Sequence, residues 1–252
     1  MNFDFENIET IINRCKAKAP KAKYECLSCK DTGFIIINQI EGQPTFRECQ
    51  CRKKDRLRNQ WENNGFNMRC NDLTWSKFNE NKNIVSKRMK EIAEKFIKDF
   101  ECIQFNKNNS IAFLGEPGAG KTHICIAISL ELLKKGVNTV YFPYRDCMDE
   151  MIDLRISNKN KYDIKVSKYQ KCNILFLDDV FKGGYTDAEI KLLFKIINYR
   201  YINRLPIIVS SEYLSDDLLK IDKGIASRII EMAQKRTLDI TGIEFNQRLY
   251  CE

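Results

Sequence analysis

Long apolar runs are absent from this 252-residue chain, and no segment approaches the ~18 to 20 consecutive apolar residues that a membrane-spanning helix needs. The first nine residues are acidic and polar, unlike the start of a secretory signal. Internal repeats and low-complexity tracts are also missing. Hydrophobic residues make up 43% and charged residues 30%, which is typical of globular proteins. We therefore expect a cytosolic globular protein with no membrane partner.

Histidine is almost missing, since His123 is the only one, whereas cysteine is abundant, with eleven. Without an export signal these thiols are not expected to form disulfides. Four are spaced as metal ligands, in Cys26-x2-Cys29 and then Cys49-x-Cys51, and four thiolates complete a tetrahedral zinc site. Because catalytic zinc needs an exchangeable position, we predict a structural zinc site. Reduced free thiols are the alternative.

A surplus of positive charge favours a polyanionic partner. Lys and Arg number 42 against 34 Asp and Glu, which gives a net charge of +8. Phosphates attract cations, and bases stack on aromatic rings, so a basic stretch with tyrosines is a candidate for single-stranded DNA. The alternative for it is a solvated loop. The candidates are the residues around Arg52 to Arg58, and Arg155, Lys159, Lys161, Tyr162, Lys165, Lys168, Tyr169 and Lys171.

Two regions differ in their patterns. Apolar residues at helical spacing predict a short amphipathic helix at the start of the chain, with Phe5, Ile8, Ile11 and Ile12. A polar run containing Gly65 predicts a domain boundary near Thr74. We thus expect a small N-terminal domain at 1–74, with helical and cysteine-rich zinc-binding parts, and a larger domain at 75–252.

The larger domain has the pattern of an α/β fold. A helical stripe runs from Met89 to Phe100. Short apolar runs then alternate with helical segments, which predicts a central parallel sheet flanked by helices. These runs are Ile111–Leu114, Thr139–Phe142, Ile174–Leu177, Pro206–Val209 and Leu238–Ile240.

The most specific motif is a phosphate-binding loop. It lies between a predicted strand and a predicted helix, the context this motif requires. Its backbone N–H groups would surround phosphate oxygens, and the helix N-terminus adds partial positive charge. Lys121 would neutralise the terminal phosphates, and Thr122 would hold Mg²⁺. His123 is either structural or a nucleotide contact. The loop reads Gly115, Glu116, Pro117, Gly118, Ala119, Gly120, Lys121, Thr122.

The partner of such a loop is an acid at the end of a buried strand. Asp178 and Asp179 follow five residues of apolar or near-apolar strand, and two acids there are costly without a cation. We predict that Asp178 helps to hold Mg²⁺ and that Asp179 orients or deprotonates an attacking water. Ser210, Ser211 and Glu212 end another predicted strand at the same sheet edge.

Two segments resemble the AAA+ ATPases that load the bacterial replicative helicase. They are the loop GEPGAGKTH and the run LFLDDVFKGGYTDAEIKLLFKIINYRYINRLPIIVSSE. These ATPases are loaders of the DnaC/DnaI type, in the IstB-like ATP-binding superfamily. The resemblance covers most of the chain and implies an AAA+ P-loop NTPase that uses ATP and Mg²⁺. Only 24 residues follow Arg228, and the resemblance implies a protein without the C-terminal helical lid.

The resemblance also assigns residues. It makes Ser211 a candidate sensor residue and Arg228 the arginine finger that reaches a neighbour's γ-phosphate. Glu212 departs from the family pattern, where Asn is common, so we expect its side chain to turn outward. The implied ATPase uses hydrolysis as an assembly switch and self-associates through the ATPase domain.

The implied function is ATP-dependent loading of a hexameric replicative helicase onto single-stranded DNA during replication initiation. On this hypothesis residues 1–74 grip the helicase. An IstB-type transposition helper ATPase shares the core, although the cysteine module argues against it. A zinc-dependent nucleic-acid-binding adaptor with a nucleotide-sensing site is a third reading. A small-molecule kinase is disfavoured because no substrate motif follows the core.

Overall fold

The computed structural model describes residues 24–40, 43–66, 70 and 72–249. The chain divides between Asn59 and Gln60 into two compact units. The amphipathic helix predicted at residues 5–12 lies outside the described residues. Within the described ranges, no helix combines the length and the apolar character needed to cross a membrane.

The N-terminal unit is built on a short hairpin. Strands β1 (Phe34–Ile40) and β2 (Gln43–Glu48) pair antiparallel, with Ile36 opposite Phe46. Tight turns with left-handed backbone at Lys30 and Asp31 precede the hairpin. Helix α1 (Gln50–Asn63) begins immediately after it. Cys26 and Cys29 lie in the turns before the hairpin, and Cys49 and Cys51 follow it, at the start of α1.

The C-terminal unit contains a five-stranded sheet of order β4-β5-β6-β3-β7, and all four strand pairs are parallel. Strands β3 and β6 are buried along their whole length, because helices cover both faces. This confirms the predicted central parallel sheet. The strands are β3 (Ile111–Gly115), β4 (Thr139–Pro143), β5 (Ile174–Val180), β6 (Ile207–Ser211) and β7 (Thr237–Ile240).

Local signals explain where the helices start. The Asn83 side chain accepts a 2.7 Å hydrogen bond from the backbone of Ser86 and caps α2. Thr186 and Glu189 form a reciprocal capping box at the start of α6. The helices are α2 (Ile84–Ile103), α3 (Lys121–Lys134), α4 (Tyr144–Ser157), α5 (Lys159–Lys171), α6 (Asp187–Ile202), α7 (Ser215–Ile221) and α8 (Lys223–Ala233).

The division of the chain falls before the predicted boundary near Thr74. Residues just after the division pack on strand β4: the ring of Phe66 stacks on Tyr141 with centroids 4.8 Å apart. The backbone N–H of Tyr141 also donates a 2.9 Å hydrogen bond to the carbonyl of Asn64. This stretch therefore belongs to the C-terminal unit, although its polar composition resembles a linker.

Candidate functional site

The phosphate loop joins strand β3 to helix α3. Gly115, Gly118 and Gly120 all have positive φ, a conformation that strains other residues. At Gly115 there is also no space, since a Cβ would lie 2.1 Å from the carbonyl oxygen of Ile240. These glycines allow the loop to curl over the N-terminus of α3. Backbone N–H groups at such an N-terminus bind anions.

Lys121 is the first residue of α3 and is 5% exposed. Its ammonium donates hydrogen bonds to the carbonyl oxygens of Gly115, at 2.8 Å, and Glu116, at 2.7 Å. Burial lowers the pKa of Lys121, while the charges of Asp179 and Glu212 oppose this shift. The lysine therefore lies along the loop, with its charge next to the carboxylates.

Asp178 accepts hydrogen bonds on both carboxylate oxygens. Thr122 donates to Oδ1 at 2.8 Å, Ser210 donates to Oδ1 at 2.5 Å, and Tyr141 donates to Oδ2 at 2.8 Å. Burial raises the pKa of Asp178, and these hydrogen bonds act in the opposite direction. Thr122 and Asp178, the two predicted Mg²⁺ ligands, are thus directly hydrogen bonded.

Asp179 lies at an irregularity of strand β5, with φ +52°. Its backbone N–H donates to the hydroxyl of Ser210 at 2.9 Å, and its carboxylate pairs with Lys182 at 2.8 Å. Backbone strain of this kind is common at functional sites. Asp179 thereby faces the same cavity as Lys121.

Glu212 does not turn outward, contrary to the sequence-based expectation. Its carboxylate lies 2.8 Å from the ammonium of Lys182, which also pairs with Asp179. Burial of Lys182 disfavours its charge, but the two carboxylates outweigh burial and raise its pKa. The ion pair explains the inward orientation, because an acidic side chain gains a cationic partner there.

The two serines at the end of β6 have different environments. Ser210 contacts Asp178 and the backbone of Asp179. The hydroxyl of Ser211 instead donates a 2.8 Å hydrogen bond to the carbonyl of Val180, and Ser211 is fully buried. The structure therefore places Ser210, rather than Ser211, beside the acidic pair.

A cavity of about 310 Å³ lies over the phosphate loop. Lysine and arginine side chains share it with two carboxylates, so it suits a ligand that carries both phosphates and a metal ion. The described residues that line it are Leu73, Gly118, Gly120, Lys121, Thr122, His123, Asp179, Lys182, Glu212 and Arg248.

Arg248 reaches the cavity from the other end of the unit. The backbone N–H of its neighbour Gln247 donates to the carbonyl of Gly118 at 3.1 Å. The side-chain amide of Gln247 donates to the carbonyl of Ala119, also at 3.1 Å. No local sequence pattern points to Arg248, because more than 120 residues separate it from the loop. Lys182 was missed because the motif patterns stop at Asp179.

His123 lines the cavity and also holds a neighbouring segment. Its Nε2–H donates a 3.0 Å hydrogen bond to the carbonyl of Thr74, and Phe78 packs edge-on against its ring. Burial lowers the pKa of His123, which keeps the ring neutral. Its contacts are those of a structural residue at the rim of the site.

Arg228 lies on helix α8 and is held against helix α6. Its guanidinium donates to Asn198 at 3.1 Å and to the carbonyl of Gly224 at 2.8 Å. It also lies over the rings of Phe194 and Tyr201, at 5.0 and 5.3 Å from their centroids. Among the described residues, Arg228 does not line the cavity of its own chain.

The four spaced cysteines of the N-terminal unit come together, with all Sγ atoms within 4.8 Å of one another. Cys26 and Cys49 are 3.7 Å apart, and Cys29 and Cys51 are 3.4 Å apart. A tetrahedral site with Zn–S bonds of about 2.3 Å has S–S edges of about 3.8 Å. The backbone N–H of Gly33 donates to Cys29 Sγ at 3.3 Å. This donor set could hold a zinc ion.

The predicted DNA-binding stretch is helical rather than a solvated loop. Tyr169 is 5% exposed and packs edge-on against Phe142, so it cannot stack on a base. Lys165 pairs with Glu150, and Lys168 donates to a backbone carbonyl. The other cations of the predicted stretch are exposed: Arg155, Lys159, Lys161 and Lys171.

The second basic stretch, in the N-terminal unit, is partly neutralised. Arg52 and Arg56 lie 3.9 and 3.4 Å from the carboxylate of Glu48. Arg58 pairs with Asp55 at 3.3 Å. Part of this positive charge is therefore balanced by nearby acids.

Known proteins are similar to this chain in sequence and in fold. The profile of the IstB-like ATP binding proteins matches residues 47–230, most of the chain. The chain belongs to this family. XkdC, from the phage-like element PBSX of Bacillus subtilis strain 168, is 31% identical to this IstB-like protein over 92% of this chain and 89% of its own length. YqaM, an uncharacterized protein of the same strain, is 34% identical over 91% of this chain and 87% of its own length.

The fold of this IstB-like protein is similar to that in a crystal structure of the DnaC helicase loader. The TM-score is 0.53 and the identity 25%, over 69% of this chain and 100% of that one. The chain thus has the AAA+ P-loop fold that its sequence predicted. Family membership supports ATP as the ligand of the cavity.

Proposed function

We propose that this IstB-like protein is an ATP-dependent loader that places a hexameric replicative DNA helicase onto single-stranded DNA. The observation that carries the proposal is the meeting of Thr122 and Asp178 at the phosphate loop, in a chain whose fold resembles a helicase loader. A bound nucleotide would contact residues from the loop, β5 and the turn after it. The conformation of these elements can therefore differ between the ATP-bound and ADP-bound states.

The residues of the cavity have distinct roles in this proposal. Lys121 neutralises the terminal phosphates, and Thr122 and Asp178 hold the Mg²⁺ that comes with the nucleotide and offsets phosphate charge. Asp179 orients the attacking water. Hydrolysis then acts as a switch, because loss of the γ-phosphate removes contacts that order the site.

Arg228 acts on a neighbouring subunit. Arg228 does not line the described cavity of its own chain, and a hydrogen bond to Asn198 of α6 holds its guanidinium. This position suits a guanidinium that acts at the surface of the chain. A fixed guanidinium stabilises charge on a transferring phosphoryl group. ATP hydrolysis should therefore depend on self-association.

The N-terminal region grips the helicase, with its four cysteines closed around a structural zinc. The alignment with XkdC covers 92% of the chain, so it includes most of this region. The exposed cations Lys159 and Lys161 contact the phosphates of single-stranded DNA, without base stacking from Tyr169. Lysine charge alone suits sequence-independent binding.

A transposition helper ATPase is the second candidate, favoured by the IstB-like family to which the chain belongs. It would use the same ATP site but bind a transposase. The two candidates differ in the partner of the N-terminal region.

Association with the helicase separates these candidates. The protein would be mixed with the replicative helicase, ATP and Mg²⁺, and the mass of the complex measured by light scattering on a sizing column. Deletion of residues 1–59 keeps the C-terminal unit whole, including Phe66, whose ring packs on Tyr141 of β4, and Trp61, which stacks on Phe66. A loader co-elutes with the helicase ring, and the deletion abolishes this. DNA-dependent ATPase without association would favour the transposition helper.

A further inference from the structure

The second carboxylate oxygen of Asp178 is held by a residue outside the phosphate-site motifs. Thr122 and Ser210 both donate to Oδ1, whereas Tyr141 alone among the described residues donates to Oδ2, at 2.8 Å. Tyr141 lies on β4, where it is in register with Phe176 of β5. Without this phenol, only one side of the carboxylate would be tied to the protein.

Tyr141 is itself fixed by aromatic packing. Its ring lies 4.8 Å from that of Phe66 and nearly parallel to it, and 5.1 Å from that of Phe176. The ring of Trp61 stacks on the ring of Phe66 in turn, with the two centroids 3.4 Å apart. Trp61 and Phe66 are each 2% exposed. The chain of rings thus runs from Trp61 to the phenol that holds Asp178.

The backbone next to Phe66 is hydrogen bonded to β4, which is an edge strand of the sheet. The N–H of Tyr141 donates to the carbonyl of Asn64 at 2.9 Å, and the Asn64 amide donates to Asn138 at 2.7 Å. Gly65 has φ +91°, and a Cβ there would lie 3.1 Å from the carbonyl oxygen of Tyr141. This close approach of the two backbones fixes residues 64 and 65 against β4 and restricts movement of the neighbouring rings.

We propose that Tyr141 is a positioning residue for Asp178 in the magnesium–nucleotide site, and that Phe66, backed by Trp61, holds Tyr141 in place. The proposal rests on the proposed function, because it takes Asp178 to hold Mg²⁺. A donor on each oxygen stops the carboxylate from rotating, as outer partners do for other metal ligands. The phenol of Tyr141 supplies the O–H donor that this contact needs, and a carboxylate oxygen can only accept.

The first test is Tyr141→Phe in the full chain, which keeps the ring and removes the hydroxyl. Binding of a fluorescent ATP analogue in EDTA should be unchanged. The Mg²⁺ concentration for half-maximal ATPase should rise roughly tenfold, the size expected when one hydrogen bond to a charged group is lost. Tyr144→Phe is the matched control, since the described residues offer its buried hydroxyl no partner. It should leave both values unchanged.

A double-mutant cycle tests the aromatic support. Phe66→Leu keeps every polar contact, so it also tests the proposal if Tyr141→Phe fails to fold. Alone, it should raise the Mg²⁺ requirement severalfold. Combined with Tyr141→Phe it should add nothing further, whereas a merely structural residue would add its full effect in both backgrounds.

Three outcomes separate the claims. A wild-type Mg²⁺ requirement in Tyr141→Phe would overturn the positioning role. Equal effects of Phe66→Leu with and without the hydroxyl would overturn the aromatic support. Wild-type protein that binds no nucleotide, with or without Mg²⁺, would instead overturn the proposed function, and the positioning role with it.

Discussion

The hydroxyl of Thr122 donates a 2.8 Å hydrogen bond to the carboxylate of Asp178. This contact joins helix α3, which follows the phosphate loop, to strand β5, an interior strand of the sheet. Both side chains offer oxygen ligands, which Mg²⁺ prefers. The protein therefore holds its two candidate metal ligands together through contacts of its own.

Asp178 should cost folding stability at neutral pH. Burial raises its pKa in the folded state above the ordinary value of 3.8, so the folded protein binds the proton more tightly than the unfolded chain. Stability should then fall as pH rises from 3.8 through the raised pKa. Asp178→Asn should raise the free energy of unfolding at pH 7 by about 1 kcal/mol, because the variant no longer buries a negative charge. Gains of this size are common when a residue kept for function is replaced.

Urea unfolding between pH 4 and 8, without nucleotide or Mg²⁺, measures this effect. The gain from Asp178→Asn should shrink toward acid pH, where the wild-type carboxyl is protonated. A variant less stable than wild type at pH 7 would contradict this prediction.

Lys182 should support nucleotide binding by balancing two acids. Its ammonium pairs with Asp179 and Glu212, both of which line the cavity. Lys182→Met would leave this negative charge facing the phosphates, and we expect roughly tenfold weaker ATP binding that is more sensitive to salt. Calorimetric titration measures it. Lys220→Met, which removes an exposed partner of Asp217, is the control, and equal effects of both variants would argue against a specific role.

Arg228 should act across a subunit interface. Arg228→Ala should keep ATP binding, because the residue does not line the described cavity of its own chain, and should lose most of the assembly-dependent ATPase. Mixing Arg228→Ala with Asp178→Asn subunits should restore activity, since some interfaces then combine an intact Asp178 with an intact Arg228. Arg88→Ala, at an exposed ion pair on α2, should behave as wild type. Mixtures without recovery would refute action in trans.

The cysteine cluster should bind one zinc ion per chain. Cys26→Ser or Cys49→Ser should release the metal, because four soft ligands are needed to close the tetrahedron. Mass spectrometry under native conditions and a colorimetric zinc assay measure the stoichiometry. Cys102→Ser, an exposed thiol outside the cluster, should retain zinc. Protein purified with no zinc, and unable to take it up, would favour reduced free thiols.

Patterns local in sequence were enough to predict the parallel sheet and the loop that joins strand β3 to helix α3. Strand β5 is buried on both faces, so its apolar run was visible and placed Asp178 at the sheet edge. The phosphate loop was recognisable from the spacing of its residues. The capping box of Thr186 and Glu189 is likewise local, since its two residues lie only three positions apart.

Features that depend on distant contacts could not be predicted in the same way. The inward position of Glu212 depends on Lys182, and the burial of Tyr169 depends on Phe142. Arg248 reaches the loop from more than 120 residues away. Tyr141 resembled an ordinary strand residue, because the acid that its hydroxyl holds lies on the neighbouring strand.

Helicase loading onto circular single-stranded DNA tests the loader account most directly. A circle has no end over which a closed ring could thread, so stable helicase binding requires that the ring be opened and placed. We predict that helicase remains on the circles after gel filtration only when wild-type protein, ATP and Mg²⁺ are present. Lys121→Ala protein should fail, and Lys134→Ala protein, changed at the exposed end of the same helix, should succeed. Helicase retention that is the same with Lys121→Ala protein, or with no protein added, would contradict the account.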